Sequence, residues 1–138
     1  MNKLDEILFK QKKGFLATID NGRPRIRPFE IQLLLDSPFK YYLCTANSKA
    51  VYHQLQKSPF VEFSLATPSN IILRITGKIR FDDDMVIKQK IVDTNDLVRS
   101  IYRTGDNPNF ELFYIEEGEA LITYLDNRDS EYFTIYNK

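Results

Sequence analysis

The sequence contains very few of the residues on which several classes of protein depend. Its single cysteine, Cys44, cannot form an internal disulfide and fits a reducing compartment, and its single histidine, His53, leaves no ligand set for an ordinary structural zinc site. No segment reaches the roughly 20 apolar residues that a membrane span needs, and the charged segment 1–13 does not resemble a signal peptide. We therefore expect a soluble, cytoplasmic protein without a metal site or a membrane partner.

The chain also lacks an excess of charge of either sign. Its 19 lysines and arginines balance 19 aspartates and glutamates, which gives a formal net charge of zero. General nucleic-acid-binding domains usually carry a basic excess, so we expect no nucleic-acid partner. Weak net repulsion also leaves self-association open. The cluster of Arg23, Arg25 and Arg27 is therefore a local feature on the scale of one binding site.

The 138 residues are enough for one domain, which we expect to span 1–138. Short alternating segments separated by turn residues favour a mainly β (α+β) domain, built as a barrel or sandwich of about eight antiparallel strands with three or four short peripheral helices. The predicted strands are 15–20, 24–35, 39–45, 60–67, 71–81, 111–116, 119–126 and 131–136. The predicted helices are 2–13, 48–57, 84–92 and 96–102.

Two segments about twenty residues apart contain most of the chemically informative side chains. Asn21-Gly22 is a strong hairpin signal, and the strand that follows carries Arg25 and Arg27 on one face, ahead of an apolar run. Prolines in the first half of this strand predict a sheet edge. Strand periodicity assigns five residues to the arginine-bearing face: Arg25, Arg27, Phe29, Ile31 and Leu33.

The second segment, 45–50, lies where a strand ends and a helix begins. Thr45, Ser48 and Lys49 offer hydroxyl and ammonium donors, and a helix start adds free backbone N–H groups. Antiparallel pairing across 36–38 is expected to bring the arginines toward this turn, which would make an anion site. The alternative is that Asn47 or Ser48 only caps the helix and that the cationic side chains extend into water.

The order of these features resembles the pyridoxamine 5′-phosphate oxidase-like flavoproteins, in particular the branch of general-stress and nitroimidazole-resistance proteins. The resemblance is carried by Asn-Gly-x-Pro-x-x-Arg-Pro-Phe at 21–29, by an aromatic-rich strand that ends at Thr45, and by Ser48-Lys49 before a short helix. It implies a split β-barrel that binds FMN at the interface of a homodimer.

The resemblance also implies roles for individual residues. The phosphate and ribityl chain of FMN would be held by arginines of the second strand and by the turn after Thr45: Arg25, Arg27, Thr45, Ser48 and Lys49. The backbone of Pro28, Phe29 and Glu30 would border the isoalloxazine ring, and Cys44 would line the same region.

The chain departs from the family pattern in two places. Pyridoxamine phosphate oxidases proper have a C-terminal segment with Trp, Arg and His that grips the substrate, whereas this chain has no Trp and ends at Asn137-Lys138. Nitroimidazole reductases place a His after the arginine strand, where this chain has Glu30 and Ile31. We therefore do not expect the first activity, and we assign no residue a catalytic role.

Three hypotheses follow from these observations. The first is an FMN-dependent oxidoreductase acting on a small organic substrate, in which the flavin would carry the redox chemistry and no acid–base pair is needed. The second is a flavin-binding or stress-related protein without turnover. The third is a split barrel that binds haem, a deazaflavin or an oligonucleotide.

Overall fold

The computed structural model describes residues 1–136, which form eight strands and four helices. The strands are β1 Lys13–Asp20, β2 Arg23–Glu30, β3 Gln32–Leu34, β4 Lys40–Ala46, β5 Phe60–Ala66, β6 Ile71–Asp82, β7 Phe110–Tyr124 and β8 Glu131–Tyr136. The helices are α1 Lys3–Lys10, α2 Ala50–Lys57, α3 Met85–Thr94 and α4 Asp96–Tyr102. None of these four helices has the length and apolar character needed to cross a membrane.

All strand pairs are antiparallel, and the strands follow the order β2-β1-β5-β6-β7-β4-β3, with β8 paired to β7. The sheet curls so that residues of β2 and β4, near its two ends, line one cleft. The predicted fold class, a split β-barrel with short peripheral helices, is therefore confirmed. The split is the gap between β2 and β4.

The first hairpin forms as the Asn-Gly signal predicts. Asn21 and Gly22 both have positive φ, 51° and 79°, as a two-residue type I′ turn requires. The register that follows places Arg25 opposite Thr18 and Arg27 opposite Leu16. The predicted edge position of the proline-containing strand is also confirmed, because β2 ends the sheet.

Two clusters of buried side chains form the core. One fills the inside of the curled sheet and includes Leu8, Leu16, Phe63, Leu73, Ile75 and Phe113. The other joins β4 and β7 to the α3–α4 pair and includes Tyr42, Ile91, Val98, Phe110 and Leu112. Burial of each large apolar side chain contributes about 1.5–3 kcal/mol, so the second cluster holds α4 firmly beside the end of β4.

The predicted strand 24–35 is wrong as a single element. It breaks at Ile31, which is fully buried, and the chain passes there from the edge of β1 to the edge of β4. The hairpin across 36–38 therefore joins β3, not β2, to β4. The arginine strand reaches β4 because the whole sheet curls, not through the predicted ladder.

The predicted hairpin across Glu117-Gly118 is also wrong, since β7 runs through this point without a turn. Gly118 lies opposite Gly77 of β6. A Cβ atom on Gly118 would lie 2.3 Å from the carbonyl oxygen of Thr76. The glycine at 118 therefore allows close approach of two strands, and does not mark a change of chain direction.

Two predicted helices begin or end elsewhere. The first ends at Lys10, and Lys13 already belongs to β1. The second begins at Ala50 with Lys49 as its N-cap, and no side chain caps it. Asn47 instead donates to the carbonyl oxygen of Pro108 (2.8 Å) and to Glu111 (2.9 Å), so it ties the β4–α2 loop to the start of β7.

Candidate functional site

A cleft of about 300 Å³ occupies the split in the barrel. It is bounded by the second half of β2, the end of β4, the start of α2 and one side of α4. Its walls differ in character, with cationic and hydroxyl groups on the inner side of the sheet and a carboxylate with apolar side chains on the outer side. Fourteen residues line it: Lys13, Arg27, Pro28, Phe29, Glu30, Gln32, Cys44, Thr45, Lys49, Val51, Leu97, Val98, Ile101 and Tyr102.

Arg27 is held in a fixed position on the inner side of the cleft. Its Nη1 donates to the carbonyl oxygen of Leu16 (3.1 Å), and its Nη2 donates to Oε1 of Gln54 (2.9 Å). Thr18 donates to the same Gln54 oxygen (2.6 Å), so α2 and β1 together orient the guanidinium. Burial lowers the pKa of Arg27 from its ordinary value, and arginine side chains are effectively always charged in proteins.

Neither cation on this side of the cleft is neutralised by a carboxylate. Among residues 1–136, no Asp or Glu lies within ion-pair distance of Arg27 or Lys49. Two positive charges beside one half-buried cleft repel each other unless an anion or water compensates them. The inner side of the cleft is therefore electrostatically suited to an anionic group.

Thr45 adds a buried hydroxyl to the same side. The residue is only 2% exposed, and its Oγ1 has no hydrogen-bond partner within residues 1–136. An unsatisfied buried hydroxyl costs about 1–3 kcal/mol, and such groups are rare in native proteins. Because Thr45 lines the cleft, a bound ligand could supply the missing partner.

Among residues 1–136, Glu30 is the only one with a carboxylate that lines the cleft, and it lies on the outer side. Its Oε1 accepts from the amides of Asn95 (3.3 Å) and Gln32 (3.5 Å). Asn95 also donates to Oε1 of Gln32 (3.0 Å) and accepts from the backbone N–H of Val98 (3.1 Å), which caps α4. A chain of buried amides thus connects α4 to β2 and β3.

Cys44 and Tyr102 form the deeper part of the outer side. Burial raises the pKa of the Cys44 thiol, and the charge of Glu30 raises it further, while Lys88 acts in the opposite direction. Burial raises the pKa of Tyr102 to about 12. Both groups therefore stay protonated at neutral pH, so they can donate hydrogen bonds but cannot act as a thiolate nucleophile or a phenolate base.

An apolar wall completes the outer side. Leu97 and Ile101, one turn apart on α4, remain 53% and 56% exposed although the helix is packed on the sheet. Pro28 lies across the cleft on β2. Phe29, the next residue, packs on the inner cluster through an edge-to-face contact with Phe113, with ring centroids 5.9 Å apart. The cleft can therefore enclose a flat apolar group between α4 and β2.

The structure brings together seven of the nine site residues predicted from the sequence. The seven that line the cleft are Arg27, Pro28, Phe29, Glu30, Cys44, Thr45 and Lys49. Arg25 lies away from it, half-exposed, with its Nε 3.4 Å from Asp20 Oδ2. Ser48 is exposed in the turn before α2 and does not line the cleft. That the seven bind a cofactor remains a prediction.

Sequence reasoning missed the contributions of Lys13, Gln32 and α4. The register of the Asn-Gly hairpin places Lys13 opposite Glu30, so this residue could have been found by counting back from the turn. Gln32 was visible as a polar residue within an apolar run. No local signal points to Leu97 or Ile101, because α4 is brought to the cleft by contacts with residues distant in sequence: its packing on β4 and β7 and the hydrogen bonds of Asn95.

Comparison with solved structures places this geometry among known folds. A NimC/NimA family protein from Clostridium acetobutylicum superposes with a TM-score of 0.84 and 26% sequence identity, over 94% of this chain and 87% of the other. A pyridoxamine 5′-phosphate oxidase-related, FMN binding protein from Nostoc punctiforme superposes with a TM-score of 0.61 and 16% identity, over 95% of this chain and 91% of the other.

A heme binding protein from Mycobacterium smegmatis superposes with a TM-score of 0.75 and 16% identity, over 94% of this chain but 55% of the other. The sequence matches no protein-family model, and a comparison with curated proteins finds no match. The likeness therefore lies in three-dimensional structure more than in sequence. This chain has the split β-barrel fold of the NimC/NimA and pyridoxamine 5′-phosphate oxidase-related proteins, the family that its sequence resembles.

Proposed function

We propose that this protein binds FMN in the cleft between β2 and β4. The observation that carries the proposal is the convergence on one side of the cleft of two uncompensated cations, Arg27 and Lys49, with the unpartnered buried hydroxyl of Thr45. A phosphate monoester has nearly two negative charges and several acceptor oxygens, so it satisfies all three groups at once. This donor set fits the phosphate end of FMN.

The rest of the cleft suits the ring system of a flavin. The backbone of Pro28, Phe29 and Glu30 would border one edge of the isoalloxazine ring, because β2 has no strand partner on the side facing the split. Free backbone N–H and C=O groups at a sheet edge can pair with the amide-like edge of a planar heterocycle. When bound, FMN would supply hydride or electron transfer, and the chain would bind and orient it.

We propose further that a second copy of the chain completes the site. A cleft of about 300 Å³ lies at the lower limit of the range for sites that enclose a small ligand. Beside it, on the outer face of β1 and β2, lie three large apolar side chains, Phe15, Ile19 and Ile26, which are 53%, 40% and 69% exposed. Phe15 pairs directly with Pro28 of the cleft. This row would meet its counterpart in a homodimer and bring the partner's surface over the flavin.

The reaction we favour is oxidation or reduction of a small organic substrate in the cytoplasm. Among residues 1–136, no two titratable side chains that line the cleft are hydrogen-bonded or ion-paired to each other, and the raised pKa values of Cys44 and Tyr102 keep both protonated. The chain's own contribution would therefore be positioning and exclusion of water. A flavin-binding protein without turnover uses the same residues.

A titration with FMN tests the binding proposal. The purified chain should bind FMN, seen as quenching of flavin fluorescence and as a yellow colour that persists through gel filtration. Arg27→Gln should weaken FMN binding by about ten- to a hundredfold, because it removes a charge-assisted hydrogen bond worth about 1.5–3 kcal/mol. Arg25→Gln, on the same face of the strand but paired with Asp20, is the matched control and should change the affinity little.

Three results would contradict the proposal. The first is a chain that stays colourless and ignores added FMN. The second is equal loss of affinity in the two arginine variants, which would mean that the cleft is not the site. The third is preferential uptake of haem or a deazaflavin. If FMN binds, anaerobic reduction by NADH or NADPH followed by addition of a quinone or nitroaromatic separates an enzyme from a carrier.

A further inference from the structure

We propose that Glu30 makes the outer side of the cleft selective for a flat, apolar substrate that carries a protonated nitrogen. The inference names a substrate class for the proposed flavin site, and it therefore rests on the proposed function. It is drawn from the outer side of the cleft alone: Glu30, its amide partners, and the apolar wall of α4.

The carboxylate of Glu30 is held in place through only one of its two oxygens. Oε1 accepts from Asn95 (3.3 Å) and Gln32 (3.5 Å), both of them buried residues, and this fixes the orientation of the group. Within residues 1–136, Oε2 makes no hydrogen bond, and no Lys, Arg or His forms an ion pair with Glu30. One carboxylate oxygen in the cleft is therefore free to accept from a ligand.

The surroundings of Glu30 determine which ligand suits it. Leu97 and Ile101 of α4, with Pro28 on β2, give this part of the cleft an apolar lining in which a flat ring can be enclosed. A half-buried carboxylate without a cation is costly, and a charge-assisted hydrogen bond inside such a lining is stronger than one in water. A neutral ring with only acceptor atoms would leave the carboxylate oxygen without a partner.

Lys13 is the cation of this chain that could compete for the same oxygen. It lies opposite Glu30 in the β1–β2 ladder and lines the cleft, but its side chain is exposed and makes no ion pair. Surface lysines lose side-chain entropy on pairing and gain little. A substrate that arrives with apolar surface to bury would therefore outcompete it.

Benzamidine and benzamide form a matched pair of probes, because they have nearly the same shape and differ in the cationic amidinium group. Their dissociation constants are measured by calorimetry or by chemical-shift titration, on the chain without FMN and on the chain supplied with FMN. We expect benzamidine to bind about tenfold or more tightly than benzamide, as one charge-assisted hydrogen bond in a partly dry site implies. Glu30→Gln, which keeps the shape, should remove this preference.

Two further variants complete the experiment. Glu62→Gln alters an exposed glutamate that contacts Arg74 and Thr76 away from the cleft, and it should retain the preference. Lys13→Gln should retain or increase it. Equal affinity of the wild-type chain for the two probes, or an undiminished preference in Glu30→Gln, would overturn the inference. Failure of FMN to bind would instead overturn the proposed function, and the two failures are read from separate titrations.

Discussion

At the scale of one residue, Thr45 indicates a ligand site through a buried hydroxyl that lacks a hydrogen-bond partner within residues 1–136. Its neighbour in sequence, Cys44, lies with its side chain in the cluster beneath α3 and α4, whereas the Thr45 hydroxyl is buried and has no partner among residues 1–136. A hydroxyl buried without a partner lowers stability, unless a ligand satisfies it in the functional state. Both residues line the cleft, but only Thr45 has a buried polar atom that lacks a partner within residues 1–136.

The variant Thr45→Val tests this distinction through two effects of opposite sign. Valine has a similar shape but no hydroxyl, so the ligand-free protein should gain about 1 kcal/mol in its free energy of unfolding, measured by urea denaturation. The affinity for FMN should fall by about three- to tenfold, because a neutral hydrogen bond to the phosphate is lost. Lower stability with unchanged FMN affinity would show that the hydroxyl serves the fold and not the ligand.

Glu30 and Arg27 show a second property at this scale, which is charge without an internal partner. Each is held by amide or carbonyl groups, and neither is paired with a side chain of opposite charge within residues 1–136. Arg25, two residues from Arg27 on the same strand, has the ordinary surface pairing. Uncompensated charges in one cleft are costly to maintain, which is why we assign them to a ligand.

At the scale of elements, one residue both caps α4 and attaches it to the sheet, in addition to the packing of the helix on β4 and β7. Asn95 accepts from the N–H of Val98 through its Oδ1 and donates from its Nδ2 to Glu30 and Gln32. The same side chain therefore begins the helix and attaches it to β2 and β3. The position of the apolar wall of the cleft, formed by Leu97 and Ile101, therefore depends in part on this attachment.

We expect Asn95→Ala to lower the free energy of unfolding by about 2–3 kcal/mol. The loss of the N-cap costs about 1 kcal/mol, and the buried amide oxygen of Gln32 is left without the donor that Asn95 provides. Urea denaturation measures the change. Thr94→Ala, one residue earlier and exposed, is the control and should stay within about 0.5 kcal/mol of the wild type.

A third variant separates the two functions of the Asn95 side chain. Asn95→Asp keeps an oxygen that can cap α4, but it replaces the amide donor with a second carboxylate next to Glu30. Any stability lost in this variant therefore comes from the lost attachment to β2 and β3 and from repulsion between the two carboxylates, and not from the loss of the cap. Equal stabilities of Asn95→Ala and Thr94→Ala would mean that the packing of α4 alone holds the helix.

At the scale of the whole molecule, the site exists because the sheet does not close. The strand order leaves β2 at one end, and β4 is covered by β3 only along its first residues, Lys40–Tyr42. The remaining edge of β4 faces β2 across the cleft. A closed barrel would satisfy these edges internally, whereas the split leaves them available to a ligand and to a second chain.

Ile26→Lys tests the proposed dimer on this scale. The wild-type chain should sediment with twice the mass of one chain. Ile26 lies in the centre of the apolar row on β1 and β2. The lysine variant should sediment as a monomer, because a dimer would bury its charge without a partner. The affinity for FMN should fall when the dimer is lost. Leu125→Lys, at an exposed apolar position outside this row, is the control. A wild-type monomer that binds FMN normally would contradict a site shared between copies.

The sequence by itself determined the features that depend on a few neighbouring residues. Asn21-Gly22 encodes its turn because the required positive φ values are local, and the alternation within β6 shows its buried face without knowledge of any partner. The anion-binding residue types around Arg27 and Thr45 were visible for the same reason, and so was the last strand at 131–136.

Only the tertiary structure decided which of these residues meet. Gly118 has the local appearance of a turn, but contact with Gly77, 41 positions away, makes it a point of close strand approach. Arg25 and Arg27 are equivalent in strand phase, and only the curl of the sheet and the position of α2 separate them. The cleft depends on the relative position of strands that are distant in sequence and of a helix packed from outside, and no short segment encodes that arrangement.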